Sequence, residues 1–341
     1  MQNAHYNFMG MYKKTFTVWG IAAIIFCGSF AVRGLSQSID FTGGRNYVVT
    51  LDKETHVEDV RLALTGAFIN TMGENQGKEA NTSVIALGTD GKTVRISTNW
   101  DIESNNPDVD DQAETILFNT LKKAGLVSQE NVDAFKNPDI RQGGSIISSA
   151  KVGPSVAKDI TYGAIISVVI ALVAIFLYIL LRFRNVAFSV GSTVALALDA
   201  LVVIGFYSVL WGWVPMSLEI DQTFIGAILT VIGYSINDKV VVFDRIRENI
   251  GLYGKRDRQQ LFNDSLNQTL ARTINTSVTT LIVLLAIFIL GGDSIRSFSF
   301  AMILGVVFGT LSSLFIAAPV AYLTLGRTIK EEVEIPEPAK K

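Results

Sequence analysis

The stretch ITYGAIISVVIALVAIFLYILL, residues 160–181, holds 22 consecutive residues without a charged side chain. A helix of about 20 apolar residues is long enough to cross the hydrocarbon core of a bilayer. Five further runs of similar character cover residues 15–32, 187–210, 224–243, 273–290 and 298–324. The sequence therefore predicts an α-helical membrane protein with six transmembrane helices, and it excludes a soluble enzyme of 341 residues.

The composition of the chain excludes several other classes of protein. Hydrophobic residues make up 49% and charged residues 18%, and the 29 Lys and Arg residues do not exceed the 31 Asp and Glu residues. Without a basic excess, nucleic acid is not an expected partner. A single cysteine, Cys27, permits neither an intrachain disulfide nor a cysteine-based metal site. We expect no metal and no cofactor.

The distribution of Lys and Arg predicts the orientation of the helices. Lys13 and Lys14 precede the first apolar run, which lacks a clean cleavage site and is interpreted as an uncleaved anchor. The links between spans two and three and between spans four and five are rich in arginine, whereas the link between spans three and four has neither Lys nor Arg. Because cytoplasmic links carry the positive charge, both termini, residues 1–14 and 325–341, are expected in the cytoplasm.

Residues 33–159 are then a domain outside the cytoplasm, placed before the five-helix part at 160–324. The segment has 13 basic and 18 acidic residues. Alternating and helical hydrophobic patterns predict strands and helices in the order β-α-β-β-α-β, which is typical of a ferredoxin-like α+β fold. The predicted elements are 46–51, 57–68, 83–87, 93–97, 108–122 and 145–152, with a turn at 88–91. Glycine pairs at 43–44 and 143–144 predict tight turns. No set of catalytic residues is apparent.

The clearest ionisable residues of the predicted spans are Asp199 in span three, Asp238 in span four and Arg272 at the start of span five. Ionisable groups are costly in hydrocarbon and by default mark function. Asp238 shares a helix face with Tyr234 and Ser235. We interpret Asp238 as a proton carrier and Arg272, which does not titrate, as its electrostatic partner. Asp199 is a further candidate for proton coupling, with helix packing as the alternative.

A polar stripe follows one face of span five, because its members recur at helical spacing. A stripe facing lipid would be unfavourable, so we expect it to face the bundle interior and the Asp238 side of span four. Hydrogen bonding between helices is the alternative role. The stripe comprises Arg272, Asn275, Thr276, Thr279 and Thr280. The polar residues expected to support the charges are Tyr234, Ser235, Asn237, Asn275, Thr276, Thr279 and Thr280.

Three smaller features complete the predictions for the bundle. Lys239 is expected to extend toward the cytoplasmic interface as a structural residue. Leu261, Phe262 and Leu266 suggest an amphipathic helix lying on the cytoplasmic face. The Gly305–Gly309 spacing predicts close helix packing in span six.

Several motifs resemble those of the SecD/SecF protein-export family. The segment 39–44 contains Asp40, Phe41, Thr42, Gly43 and Gly44, the form of a family motif after the first span. Val152, Gly153 and Pro154 look like the motif at the return to the membrane. The stretches GYSIND at 233–238, VVVFDRIREN at 240–249 and RTINTS at 272–277 are similar to family signatures. The family often has a small polar residue in place of Lys239 and a histidine in place of Leu198.

The resemblance implies an accessory subunit of the Sec translocon in the bacterial cytoplasmic (inner) membrane. Such a subunit pairs with SecD into a twelve-span unit related to the RND transporters, and it associates with the SecYEG channel. It uses the proton motive force to assist late steps in the export of unfolded polypeptides, with protons as the coupling ion. By the same resemblance, Asp238 and Arg272 are the coupling residues. The lipid bilayer is an expected partner as well.

Two other readings of the residues stay open at this point. One is half of an RND-type exporter of small molecules, although such exporters generally carry a much larger outer domain. The other is a scaffold without transport activity whose outer domain binds a partner. An enzyme is the least expected class, because no nucleophile–base pair or metal constellation is apparent.

Overall fold

The computed structural model describes residues 5–332 except 74, 88–90, 105, 107, 141, 215, 254 and 255. Within these residues, six helices are long and apolar enough to cross a membrane, as predicted. They are Tyr12–Arg33, Pro154–Phe183, Val186–Leu210, Gln222–Tyr253, Arg258–Leu290 and Ile295–Leu325. Five of the six extend clearly beyond the apolar runs, because polar residues continue a helix wherever it projects from the hydrocarbon.

The helices and strands are labelled in chain order. In the first half they are α1 (Tyr12–Arg33), α2 (Ile39–Thr42), β1 (Gly44–Thr50), α3 (Val57–Leu64), β2 (Thr82–Ala86), β3 (Thr93–Thr98), α4 (Asp108–Lys123), α5 (Val132–Lys136) and β4 (Ser145–Val152). In the second half they are α6 (Pro154–Phe183), α7 (Val186–Leu210), α8 (Gln222–Tyr253), α9 (Arg258–Leu290), α10 (Asp293–Ser312) and α11 (Ala318–Glu332). A π-helical turn, Ser313–Ala317, joins α10 to α11.

The domain between α1 and α6, called the outer domain because it lies outside the helix bundle, is the predicted ferredoxin-like unit. Its four antiparallel strands lie in the order β2-β3-β1-β4. Side chains from the sheet, such as Val49 and Ile96, form one core with Leu64 of α3 and Leu117 of α4. The short helices α2 and α5 were not predicted, because four or five residues are too few to show a helical period. Most of the predicted turn at 88–91 lies outside the described residues.

The glycine pair at 43–44 forms the joint between the membrane and β1. Gly43 and Gly44 have φ values of 74° and 155°. A Cβ at Gly44 would lie 2.7 Å from the carbonyl oxygen of Thr98, which leaves no room for a side chain. A Cβ at Gly43 would lie 3.4 Å from the Cα of Pro154. The two motifs that flank the outer domain, 40–44 and 152–154, therefore meet at one place.

The link between α7 and α8 attaches the outer domain to the bundle a second time. The Ile220 amide donates to the carbonyl oxygen of Ser36 at 2.7 Å, and the Ser38 amide donates back to that of Ile220 at 3.0 Å. Glu219 reaches the sheet, where it is hydrogen-bonded to Ser83. Burial raises the pKa of Glu219, although this hydrogen bond and the nearby Arg95 act in the opposite direction.

The bundle is packed closely where α10 crosses α8. A Cβ at Gly305 would overlap the side chain of Val231, and one at Gly309 would lie 2.6 Å from Ser235 Oγ. The close packing predicted from the Gly305–Gly309 spacing is therefore confirmed, and it brings the backbone of α10 against the polar part of α8.

The segment with Leu261, Phe262 and Leu266 is helical, as predicted, but the prediction that it lies on the cytoplasmic face of the membrane is wrong. Residues 258–290 form one helix, α9, in which neither glycine nor proline interrupts the chain. Leu261, Phe262 and Leu266 are buried in the same cluster as Phe243 and Ile246 of α8. The apolar face of the segment continues the span, so it packs on the extended end of α8 instead of on a membrane surface.

Candidate functional site

Asp238 lies inside the bundle and is in contact with a chain of hydroxyl groups. Its side chain projects from α8, and the residue is 3% exposed. The hydroxyl of Thr310 on α10 lies 3.5 Å from Asp238 Oδ2. Ser277 on α9 lies 2.6 Å from the Thr310 hydroxyl. Hydroxyls can both donate and accept hydrogen bonds, so this chain of groups is compatible with either protonation state of the carboxyl.

Thr310 and Ser277 were not identified from the sequence. Thr310 is one of several hydroxyl residues in an apolar run, and such residues commonly bond to the preceding turn of their own helix. Thr310 does so as well, since its hydroxyl lies 2.8 Å from the Val306 carbonyl oxygen. Its second role depends on the contact between α8 and α10, which only the fold reveals.

The predicted position of the α9 stripe is confirmed only at the edge formed by Thr276 and Thr280, which meets Tyr234 of α8. The rest of the stripe does not face the interior of this chain's own bundle, so that part of the prediction is wrong. Arg272, Asn275 and Thr279 are exposed, and Thr276 and Thr280 are half-buried. Within the predicted span, 273–290, the buried polar residues of α9 are instead Thr273 and Ser277. Periodicity identifies a helix face, but it does not identify which neighbour covers it.

The predicted common face of Tyr234, Ser235 and Asp238 divides among three neighbouring helices. The Tyr234 hydroxyl donates to Thr280 Oγ1 at 3.0 Å, so it contacts the edge of the stripe on α9. Ser235 turns to α7 and lies 2.7 Å from Asp199 Oδ2. Asn237 is exposed. The polar part of α8 is therefore a crossing point of several helices.

A second buried carboxylate, Asp199, forms an ion pair with Lys239. Lys239 Nζ lies 2.9 Å from Asp199 Oδ2, and both side chains are 0% exposed. The prediction that Lys239 extends to the cytoplasmic interface is therefore wrong. Lys239 points inward because Asp199 on α7 provides a carboxylate inside the bundle. This carboxylate binds the ammonium group that water at the interface would otherwise solvate.

The two carboxylates differ in their charge partners. Lys239 follows Asp238 directly, so the two side chains leave α8 about 100° apart. Within the described residues, no Lys, Arg or His nitrogen lies within 4 Å of the Asp238 carboxylate. Arg272, its expected partner, is exposed on α9. The described residues also contain no cluster of three His, Cys, Asp or Glu side chains suited to a metal ion.

The motifs flanking the outer domain form a joint of main-chain and capping contacts. Asp40 Oδ2 lies 3.4 Å from the Gln222 amide at the start of α8. Thr42 Oγ1 donates to the Ser38 carbonyl oxygen at 3.1 Å. Phe41 packs against the apolar core of the bundle. Gly153 precedes α6 as its N-cap, and Pro154 begins that helix.

These observations define a class of protein: a six-helix membrane protein with a ferredoxin-like domain between helices one and two and a carboxylate inside the helix bundle. Comparison with known proteins narrows the class. A family described as "Protein export membrane protein SecD/SecF, C-terminal" matches residues 134–327, and the "SecD/SecF GG Motif" matches residues 28–55. The chain belongs to the SecD/SecF protein-export family.

Relatives match the chain over almost its whole length. The protein translocase subunit SecF of Rhodothermus marinus is 38% identical, covering 94% of this chain and 93% of its own. The subunit of the same name from Escherichia coli O157:H7 is 33% identical, covering 94% and 88%. The crystal structure of SecDF, a translocon-associated membrane protein from Thermus thermophilus, superimposes with a TM-score of 0.75 at 30% identity. It covers 96% of this chain, which spans 40% of that longer one.

Proposed function

We propose that this chain is an accessory subunit of the Sec protein translocase that couples proton movement to late steps of protein export. The observation that carries the proposal is Asp238, a carboxylate inside the bundle with no cation within 4 Å in the described chain. The Thr310 hydroxyl of α10 is its neighbour, and the Ser277 hydroxyl of α9 contacts Thr310 in turn. The names of the full-length relatives support the translocase role.

In this proposal, Asp238 takes up and releases a proton as neighbouring helices change its hydration. One charge crossing 100 mV supplies about 2.3 kcal/mol. Arg272 keeps its charge throughout, so it acts on the proton electrostatically and carries none. The Thr310 hydroxyl stabilises Asp238 in both states and Ser277 supports Thr310, because each hydroxyl can reverse its hydrogen bond.

The uncovered stripe of α9 supports a second helical subunit beside this one. An arginine facing hydrocarbon is costly, and none of the described residues covers Arg272 or Asn275, which are both exposed. We propose that SecD covers this face, which is consistent with the greater length of the matched SecDF chain. The SecYEG channel and an unfolded exported polypeptide complete the proposed assembly in the bacterial cytoplasmic membrane, with both termini of this chain in the cytoplasm.

The proposal is tested with Asp238→Asn, which keeps the size of the side chain but not its ability to release a proton. We expect proton-dependent export into inverted membrane vesicles to fall at least about tenfold, as is typical when one essential proton-transfer group is removed. Asp244→Asn is the matched control, because this carboxylate on the same helix is 43% exposed and pairs with Arg182.

Membrane content of both variants is measured by immunoblotting, because only inserted protein can take part in export. Normal export by Asp238→Asn would disprove the coupling role. Drug sensitivity without accumulation of unexported precursors would instead indicate a small-molecule exporter.

A further inference from the structure

The ammonium group of Lys239 occupies a site built from oxygen atoms of three helices. Asp199 Oδ2 of α7 lies 2.9 Å away, and Ser312 Oγ of α10 lies 3.0 Å away. Ser235 of α8 supplies its hydroxyl and, at 3.5 Å, its carbonyl oxygen. All four residues are nearly or fully buried, Ser235 being 1% and the others 0% exposed. Such a site is an internal cation site whose cation is tethered to the protein.

Asp199 depends on this cation for its charge. Its second oxygen, Oδ1, is buried without a hydrogen-bond partner among the described residues. A buried carboxylate with one unsatisfied oxygen is stable as an ion only when a close cation compensates the lost hydration. Lys239 is that cation, and Ser235 donates the additional hydrogen bond.

The same contacts lie beside the irregular part of span six. Ser312 directly precedes the π-helical turn Ser313–Ala317. A Cβ at Gly191 of α7 would lie 2.6 Å from the Ala317 carbonyl oxygen, so the two backbones approach closely there. Single π turns inside α-helices often accompany functional positions. Through Lys239, α8 is therefore hydrogen-bonded both to α7 and to the residue of span six that directly precedes the π turn.

We propose that Lys239 is a positioning residue: its ammonium holds Asp199 as a permanent ion pair, so that Asp238 is the carboxylate left free to exchange protons. This inference rests on the proposed function for the role of Asp238. It gives Asp199 a fixed charge, in place of the proton exchange considered from the sequence. The pair also holds α7, α8 and α10 in register around the exchanging site.

Three changes test the assignment in the full-length protein: Lys239→Met, Asp199→Asn and the double variant. The first readout is the unfolding temperature of the purified chain between about pH 5 and pH 9. Among the described residues, the charged groups in and next to the pair are Asp199 from α7 and Lys239 and Asp238 from α8, and the charge of Arg272 from α9 acts on Asp238. Ser312 and Thr310 of α10 contribute hydroxyls alone.

The single variants are expected to respond to pH in opposite directions relative to the unmodified protein. In Lys239→Met the lone Asp199 has to bind a proton in the fold, so its unfolding temperature falls further as pH rises. In Asp199→Asn the lone Lys239 has to lose a proton, so its unfolding temperature falls further as pH drops. The double variant contains neither lone charge, and its pH profile should parallel that of the unmodified protein.

Proton-dependent export is the second readout. We expect each single variant to lose at least about tenfold in export rate, and the double variant to recover to within about threefold, because a lone buried charge is worse than a neutral pair. Lys239→Arg is expected to export more slowly than the unmodified protein although it keeps the positive charge, since the larger planar group does not fit a compact ammonium site.

The proposal is overturned if both single variants show pH profiles parallel to that of the unmodified protein, or if the double variant is as impaired as the worse single variant. Either result would mean that Lys239 is a hydrogen-bonding bridge only. If the single variants fail to accumulate, accumulation of the double variant supports the proposal, and failure of the double variant to accumulate overturns it. Asp238→Asn is included in the same series. Normal export there would refute the proposed function, while the unfolding profiles would still decide the role of Lys239.

Discussion

The outer domain and the membrane bundle each bury a basic side chain, but they pair it differently. In the outer domain, the side chain of Arg45 is 2% exposed and pairs with Asp110, which is 44% exposed. In the bundle, Lys239 and Asp199 are both 0% exposed. A domain surrounded by water can leave one partner at its surface, whereas a bundle in lipid has to place both partners inside. The bundle therefore depends more on exact helix packing to keep its pair satisfied.

Because the buried network of the bundle depends on close helix packing, forcing α8 and α10 apart is expected to have the largest effect on stability. Gly309→Val places a side chain against Ser235, whose hydroxyl belongs to the buried network. We expect a loss of about 3 kcal/mol in the free energy of unfolding, the upper range for overpacking a core. Denaturant titration of the purified chain measures it.

Gly226→Val is the matched control for this change. A Cβ at Gly226 of α8 meets no atom within 4 Å, so the valine has space. Equal losses for the two variants would show that the effect comes from valine in a helix and not from the contact between α8 and α10.

Removing Asp110, the surface partner of Arg45, tests how much the ion pair stabilises the outer domain. Asp110→Ala leaves a buried guanidinium that still donates to the Trp100 carbonyl oxygen. Because water reaches the Asp110 position, we expect a loss of about 1–2 kcal/mol, less than for a fully buried pair. Amide hydrogen exchange of β1 and β3 in the full-length protein measures the change, with the exposed Asp108→Ala as control.

The same pair predicts a pH dependence. Desolvation alone would raise the pKa of Asp110, but the hydrogen bonds from Arg45 and Lys151 outweigh it and lower that pKa. The stabilisation is therefore present above the ordinary pKa of about 4 and is lost as pH falls through the lowered value. The difference between Asp110→Ala and the unmodified protein should vanish at the acid end. A constant difference across all pH values would contradict the ion-pair explanation.

The smallest effect is expected at Glu219, between the two regions. Its raised pKa means that the docked arrangement is most stable when Glu219 is protonated, and that it loses stability as pH rises from the ordinary carboxyl range through the raised value. Glu219→Gln imitates the protonated form. Exchange of the Ser38 and Ile220 amides should be about twofold slower in this variant at pH 8, which corresponds to roughly 0.4 kcal/mol, and unchanged at pH 4.

An unchanged exchange ratio over that range would mean that the two backbone hydrogen bonds between the link and residues 36–38, and not Glu219, govern the docking. Ser217→Ala in the same link is a suitable control, because its hydroxyl hydrogen-bonds locally to the Glu219 amide.

Most of the fold could be predicted from the sequence, because its signals are local. Six apolar runs predicted six spans, and the strand predicted at 145–152 has the observed bounds of β4, Ser145–Val152. The contacts of the candidate site are not local. Asp199 and Lys239 are 40 residues apart, and Thr310 and Asp238 are 72 apart. The spacing of polar residues along α8 or α9 does not reveal which neighbouring helix each residue contacts. The environment of Lys239 and the exposure of Arg272 could therefore not be predicted from the sequence.

The place where the outer domain joins the membrane determines how it bears mechanical load. Gly44 and Val152 are register partners at one end of the β1–β4 ladder, and each adjoins a segment that leads into the bundle. Once the contacts with the α7–α8 link are released, a force that lifts the domain from the bilayer acts through the chain on this one end, and it would open the hydrogen bonds of the ladder in succession instead of straining all of them together. Resistance to such a pull depends on the first pair, so the tightly fitted glycine at position 44 is the mechanical weak point as well as the turn.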